Sequence, residues 1–586
     1  MFRLSGILVF FFFFINTAAA EVNDRPAIVK LTQERIKYLM EHFCMDSSSR
    51  NYGGFVWGEV KPYAGTRKSI YAGQYLFAAY LYPDFKEYYN NPETLKKVYI
   101  HLDFMLRRQR PNGSINLWTK STGGSNEVGF TLPGLIEVYK RVDASNVAGR
   151  DSILAGLEKY IKKGAACIRN NFPYSSNHRW AANCGPLAMS DSIFPDTANT
   201  AYIQSYLRDG IDIDDKGMYF EERSPNYNGV ANWGLIELAD YWGKTDYLDL
   251  VALNLDYNLA MRQPNGEVET LFSHRQDRGD ENQGWGEYYH YKRLAIEQNN
   301  GIFASAADQL LAQAIESNNI PGGAIPLIFL FDNEKLVNDK VKREPIPDNY
   351  IIKFTYNPIW RYRTKDIGVT LAADKGDHWW DITQGSWMGY ARSDVFMSYH
   401  YMDAIIDAIR IRWADGNQSF HPESIEYLEN GAMKMVYDDP GWDHVAHFRP
   451  KEEWGPRKVQ GHNKGEVLIT PMEAGKFKME IEITGWDEVH TNIQLLLRQN
   501  CTLRTPSGDE ITMQKNGENF SMDNGTYYLQ GPSGAKLKIS GIPESEHILK
   551  LTDDHYIETG ADSRCHKLVV GLYTPVKAEI IFEPVK

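Results

Sequence analysis

Between residues 28 and 315 the apolar positions recur at helical spacing. Leu132, Leu135, Ile136 and Tyr139 fall on one stripe, as do Ile153, Leu157, Tyr160 and Ile161. The clearest run is Leu248, Val251, Ala252, Leu255 and Leu259. Tyr82-Pro83, Arg110-Pro111-Asn112-Gly113 and Gln263-Pro264-Asn265-Gly266 punctuate these stripes as loops do. Many amphipathic helices without strand signals predict an α/α toroid or solenoid, and no strict period marks a regular repeat family. After about Pro321 the period changes to two. Phe477, Met479, Ile481 and Ile483 alternate with Lys478, Glu480, Glu482 and Thr484, the pattern of a half-buried strand. Leu537 and Ile539 alternate with lysines, and Asn516-Gly517 and Asn524-Gly525 are hairpin-turn dipeptides. The expected fold is therefore α+β multidomain: an N-terminal α/α toroid (an incomplete barrel) followed by a C-terminal antiparallel β-sandwich. Residues 21–320 form the first, 351–586 the second, and 321–350 connect them.

A chain of 586 residues is too long for one core, which agrees with this division. The first 20 residues read as an export signal: Arg3 is their only charge, five consecutive Phe sit in the apolar run from Ile7 to Ile15, and Ala18-Ala19-Ala20 offers a cleavage site. That run is too short for a membrane span, so a periplasmic or secreted protein is expected. Aromatic residues make up 13% of the chain, a content that suits both sugar stacking and large packed helices. The net charge of −13 argues against nucleic acid as partner but leaves room for an anionic sugar in a locally basic cleft. Five cysteines without CxxC spacing leave at least one free thiol and allow a disulfide.

Four segments carry candidate chemistry. Asn177-His178-Arg179-Trp180 offers two carboxylate donors and a group that exchanges protons near neutral pH; a capped loop with a surface His and Arg explains it equally. Glu221 to Tyr227 leads into a helix expected near Val230, so that the Tyr227 hydroxyl projects from just before a helix start; packing on the toroid rim is the alternative. In Phe272-Ser273-His274-Arg275-Gln276-Asp277-Arg278 the His and two Arg suit an acid group, or Asp277 closes an internal salt bridge. In the β region, Trp379-Trp380-Asp381 precedes Ser398-Tyr399-His400-Tyr401-Met402-Asp403. His400 and Asp403 alone do not make a metal site; no cofactor is required, and a structural divalent metal has only this pair in its favour.

Together these segments resemble the heparinase II/III-like polysaccharide lyases. In that group an Asn-His segment on the toroid is followed by Gly-x-x-x-Glu-x-Ser-Pro-x-Tyr; here stand Asn177-His178, then Gly217, Glu221 or Glu222, Ser224, Pro225 and Tyr227. The β-domain counterpart is Tyr399-His400-Tyr401-Met402-Asp403 running on to Ala414-Asp415-Gly416, with Tyr401 where the family pattern has His. The resemblance implies a toroid-plus-sandwich enzyme that breaks a glycosidic bond at O4 of a uronic acid by β-elimination. It implies Tyr227 as general acid, and as base too if one group serves both steps. Asn177 and Arg179 would neutralise the carboxylate, and His178 would act as base or positioning group. His274, Arg275, Trp180, His400 and Tyr401 are the further candidates for substrate contact. The short basic clusters Arg67-Lys68, Arg107-Arg108 and Lys292-Arg293 do not make a long basic groove, which favours a sparsely sulfated uronate glycan. A rhamnose-capped glucuronate of an arabinogalactan is one such substrate. Two other readings remain: a toroid glycoside hydrolase using carboxylates such as Glu59, Glu222 or Asp277, and a non-catalytic glycan-binding protein.

Overall fold

The computed structural model describes residues 23–58, 63–116, 125–170, 180–208, 210–219, 224–273, 277, 279–319, 336, 339–354, 358–373, 395–413, 418–439, 462–514, 520–546 and 565–585. The proposed leader and Asn516-Gly517 lie outside them. Helices occupy the chain from Arg25–Glu41 to Gly301–Glu316, and many sequence neighbours pack against each other around one core. Polar caps start several of them: Asn91 accepts from the amides of Glu93 and Thr94, and Asn300 from those of Ile302 and Phe303. The helical stripes are the buried faces; Leu132, Leu135 and Ile136, then Ile153, Leu157, Tyr160 and Ile161, all enter that core. The two ends of the helical domain are tied together. Buried Asp24, at the first helix, meets Lys292 Nζ at 2.8 Å and accepts the Tyr288 hydroxyl at 2.7 Å.

Among the described residues the C-terminal half is a sandwich of two nine-stranded sheets whose facing side chains make a second core. Its described strand pairs are antiparallel apart from the short parallel pair Phe520–Ser521 with Cys565–Tyr573. The inner sheet has the strand order Tyr350–Phe354, Ile359–Arg363, Ile367–Ala372, Val395–Tyr401, Ala404–Trp413, His490–Arg498, Cys565–Tyr573, Phe520–Ser521, with Gln418–Ser419 pairing off this path with Ala404–Trp413. Its other face packs on the helical domain, where Phe354, Ile359, Ala408 and Leu496 meet Tyr257, Met261, Leu271 and Phe272. Burial on both faces explains why Ala404–Trp413 is buried along its whole length, with Asp407, Arg410 and Arg412 buried as well as the apolar residues they alternate with. Strand Phe477–Thr484 belongs to the outer sheet, has one solvated face, and keeps the expected alternation.

Asn524-Gly525 is not a hairpin turn. Phe520–Ser521 lies in the inner sheet and Gly525–Gln530 in the outer, so the dipeptide marks a crossing between layers, with Gly525 at φ +149°. None of the five cysteines is bridged.

Candidate active site

The helix carrying Tyr227 starts at Pro225, five residues before the expected Val230. Ser224 is its N-cap, accepting from the Tyr227 amide, and Pro225 takes the first-turn position where a missing N–H costs nothing. Tyr227, half-buried, therefore sits in the first helical turn. The cap is itself held: Ser224 Oγ donates to Asp277 Oδ2 at 2.5 Å, and Ser273 Oγ donates to Asp277 Oδ1 at 2.5 Å. Asp277 is buried and committed to this bracket, the role of an anchor for the helix start.

Below the same turns runs a buried amide ladder. Asn228 donates to Asn258 at 2.8 Å, Asn232 to Asn254 at 2.9 Å, and Asn254 to the Gly217 carbonyl at 2.7 Å. Tyr219 donates its hydroxyl to Asn232 at 2.9 Å. Glu287 accepts from Asn232 and Asn258 and lies 2.6 Å from His290 Nδ1. Burial with these partners fixes the helix rotation, and so the direction of Tyr227. Gly217, from the sequence motif, has φ +89°, and a Cβ there would overlap the Leu253 carbonyl. Gly217→Ala is expected to destabilise the protein by about 1–3 kcal/mol, read as a lower urea midpoint; an unchanged midpoint would refute this packing account.

Asn226, Gly229, Val230, Trp233 and Glu237 share one face of the helix and line a cavity of about 860 Å³. Asn282 and Trp285 line it from the facing loop. Trp233 stacks on Tyr289 at 4.7 Å between ring centroids. Burial, with Asp240 and Glu137 nearby, pushes the Glu237 carboxyl well above the usual range. Glu281 and Glu316 are the other carboxylates on the described lining, which contains no Lys or Arg.

The loop between Met261 and Glu287 belongs to both domains. Arg498, on an inner-sheet strand, donates to Glu267 at 2.9 and 3.0 Å, to Asp407 at 2.6 and 2.5 Å, and to Glu281 at 3.4 Å. Glu269 accepts from Gln263, Thr370 and Ser398 at 2.7, 2.9 and 2.6 Å. The cavity wall thus depends on contacts with the sandwich.

Of the residues singled out in the sequence, Asn177, His178, Arg179, His274 and Arg275 lie outside the described residues, as do Glu59 and Glu222. Trp180 is fully buried, with its ring 6.0 Å from that of Tyr219, in the helical core. His400 is buried on the same strand face as Ser398, the face turned to the helical domain. Tyr401 points the other way and packs against the sandwich core. Asp403 does not join His400; its carboxylate accepts from the Ser533 amide and hydroxyl, both at 2.6 Å. Sequence reasoning missed Trp233, Glu237, Asn282 and Trp285. The spacing 226, 230, 233, 237 was the available signal, hidden by the misplaced helix start.

No protein-family model matches the sequence, and no curated protein does. Solved structures do match the fold along nearly the whole chain. A heparinase III is 12% identical with a TM-score of 0.59, over 97% of this chain and 86% of that one. A chondroitin AC lyase of Streptomyces coelicolor A3, solved with chondroitin sulphate, is 12% identical with a TM-score of 0.55, over 95% and 79%. A second heparinase III, with methylated lysines, is 13% identical with a TM-score of 0.52, over 95% and 84%. At this identity the likeness is one of architecture: the chain has the α/α-toroid and β-sandwich fold that these polysaccharide lyases share.

Proposed function

We propose that the protein is a polysaccharide lyase cleaving the bond at O4 of a uronic acid by β-elimination. The observation that carries the reading is the placement of Tyr227. It stands in the first turn of a helix whose next face lines a cavity of about 860 Å³, in a fold shared with polysaccharide lyases. Its helix start is bracketed by Asp277 and its rotation fixed by the amide ladder, the preorganisation that proton transfer to a leaving oxygen requires.

In this reading the C5 proton of the uronate leaves to a base, the C4=C5 double bond forms, the C4–O4 bond breaks, and O4 takes a proton from Tyr227. His178 serves as base or positions it, unless Tyr227 does both steps. Asn177 and Arg179 neutralise the carboxylate so that charge can build at C5, and His274 and Arg275 extend the contact. Trp233 and Trp285 suit sugar faces. The carboxylates on the described lining disfavour a densely sulfated chain, which keeps a sparsely sulfated glucuronate glycan, such as a rhamnose-capped arabinogalactan, as the preferred substrate.

The test is ultraviolet absorbance of the mature protein with heparan sulfate, chondroitin, alginate and a rhamnose-capped arabinogalactan. Rising absorbance from the unsaturated uronate is expected, strongest with the last. New reducing ends without absorbance would replace elimination by hydrolysis.

A further inference from the structure

A second cavity, of about 630 Å³, lies at the seam between the domains, across the Gln263–Glu267 turn from the first. Asn265 lines the first cavity, while Gln263, Pro264 and Gly266 line the second. Two guanidiniums line the second as well, Arg262 and Arg363, 7% and 8% exposed. Neither has a carboxylate partner among the described residues. Arg262 donates through Nε and Nη2 to the Gly266 carbonyl at 3.2 and 2.9 Å, which leaves Nη1 without a hydrogen bond. Arg363 donates through Nη1 to the carbonyls of Lys365 and Ile367 at 3.0 and 3.4 Å, leaving Nε and Nη2.

A buried cation without a counter-charge is costly, and several features make it worse here. Arg361, two residues earlier on the same strand face, is fully buried and adds a like charge beside Arg363. It satisfies its own N–H groups on Thr370, Gln263 and the Arg262 carbonyl. Burial depresses the pKa of both Arg262 and Arg363. The nearby acids relieve little. Asp308 is forked by Arg343 at 2.8 and 2.9 Å, and the exposed Asp348 and Asp366 act on Arg363 without forming an ion pair among the described residues. Sequence alternation thus sends two arginines of Ile359–Arg363 into the seam, and a third waits on the helical side.

We propose that this seam cavity is an oxyanion-binding site in which Arg262 and Arg363 hold a carboxylate or sulfate group between their unused N–H donors. Planar guanidinium donors match such groups, and the cavity is large enough for the group to arrive on a sugar. The site is separate from the cavity lined by Trp233 and Trp285, and its occupancy is read by binding, so it stands or falls independently of elimination chemistry.

The test is calorimetric titration of the mature protein with inorganic sulfate and with glucuronate, at constant ionic strength in chloride. Saturable binding is expected, weakened about tenfold or more in the R262Q/R363Q double variant. Tighter binding of glucuronate assigns the site to a sugar-borne group; tighter binding of sulfate assigns it to a free inorganic anion. Absence of saturable binding for both, or equal binding by the double variant, overturns the proposal. If that variant does not fold, wild-type crystals soaked in selenate decide. An anomalous peak between the two guanidiniums supports the site, and its absence at saturating selenate removes it.

Discussion

Tyr227→Phe is expected to lower turnover by about 10²–10⁴-fold, the range for losing one positioned proton donor. The substitution deletes one oxygen from a half-buried side chain and leaves the Ser224 cap, the Asp277 bracket and the amide ladder in place. The melting temperature should therefore stay close to that of the parent. A proton given only as the C4–O4 bond breaks contributes to kcat more than to KM, so the loss should appear in kcat. Measured on the glycan that gives the largest absorbance change, near-normal turnover would remove Tyr227 from the chemistry.

Arg498→Met carries the largest expected stability effect. The guanidinium forks onto Glu267 of the helical domain and Asp407 of the neighbouring strand, and all three side chains are largely buried. Methionine fills much of the volume but leaves both carboxylates without their cation, at a cost of about 3–5 kcal/mol. The expected readout is a clearly lower urea midpoint. Arg498→Lys keeps a charge but cannot fork onto both acids, so it should fall between parent and Met. Equal midpoints for all three proteins would show that the cluster contributes nothing net. Because Glu281 also meets Arg498 and lines the cavity of the proposed site, the Met variant should lose activity below its melting transition as well.

The elements were legible in the sequence wherever one face is solvated. The stripe through Leu132, Leu135 and Ile136 and the alternation through Phe477, Met479 and Ile481 translate directly into a helix and an outer-sheet strand. Strand Ala404–Trp413 alternates over Ile409-Arg410-Ile411-Arg412-Trp413 and would read as half-solvated, yet water touches neither face. The helix of Tyr227 was placed late because Asn226, Asn228 and Gly229 are poor helix formers, and the Ser224-Pro225 start outweighs them only once Asp277 holds the cap. The site contacts were less legible than the fold. Arg498 and Glu267 are 231 residues apart, and no local pattern announces such a pair. Trp180 shows the same limit from the other side: beside an Asn-His-Arg segment it reads as a sugar platform, yet it fills the helical core.

The loop from Met261 to Glu287 has a consequence for inheritance. It is encoded with the helices, but Arg498, Thr370 and Ser398 of the sandwich hold it in place. A recombination event that exchanged the C-terminal half for another sandwich would keep the helices and still lose these supports of the cavity wall. The two halves are therefore expected to diverge as a matched pair, Arg498 with Glu267 and Glu269 with Thr370 and Ser398.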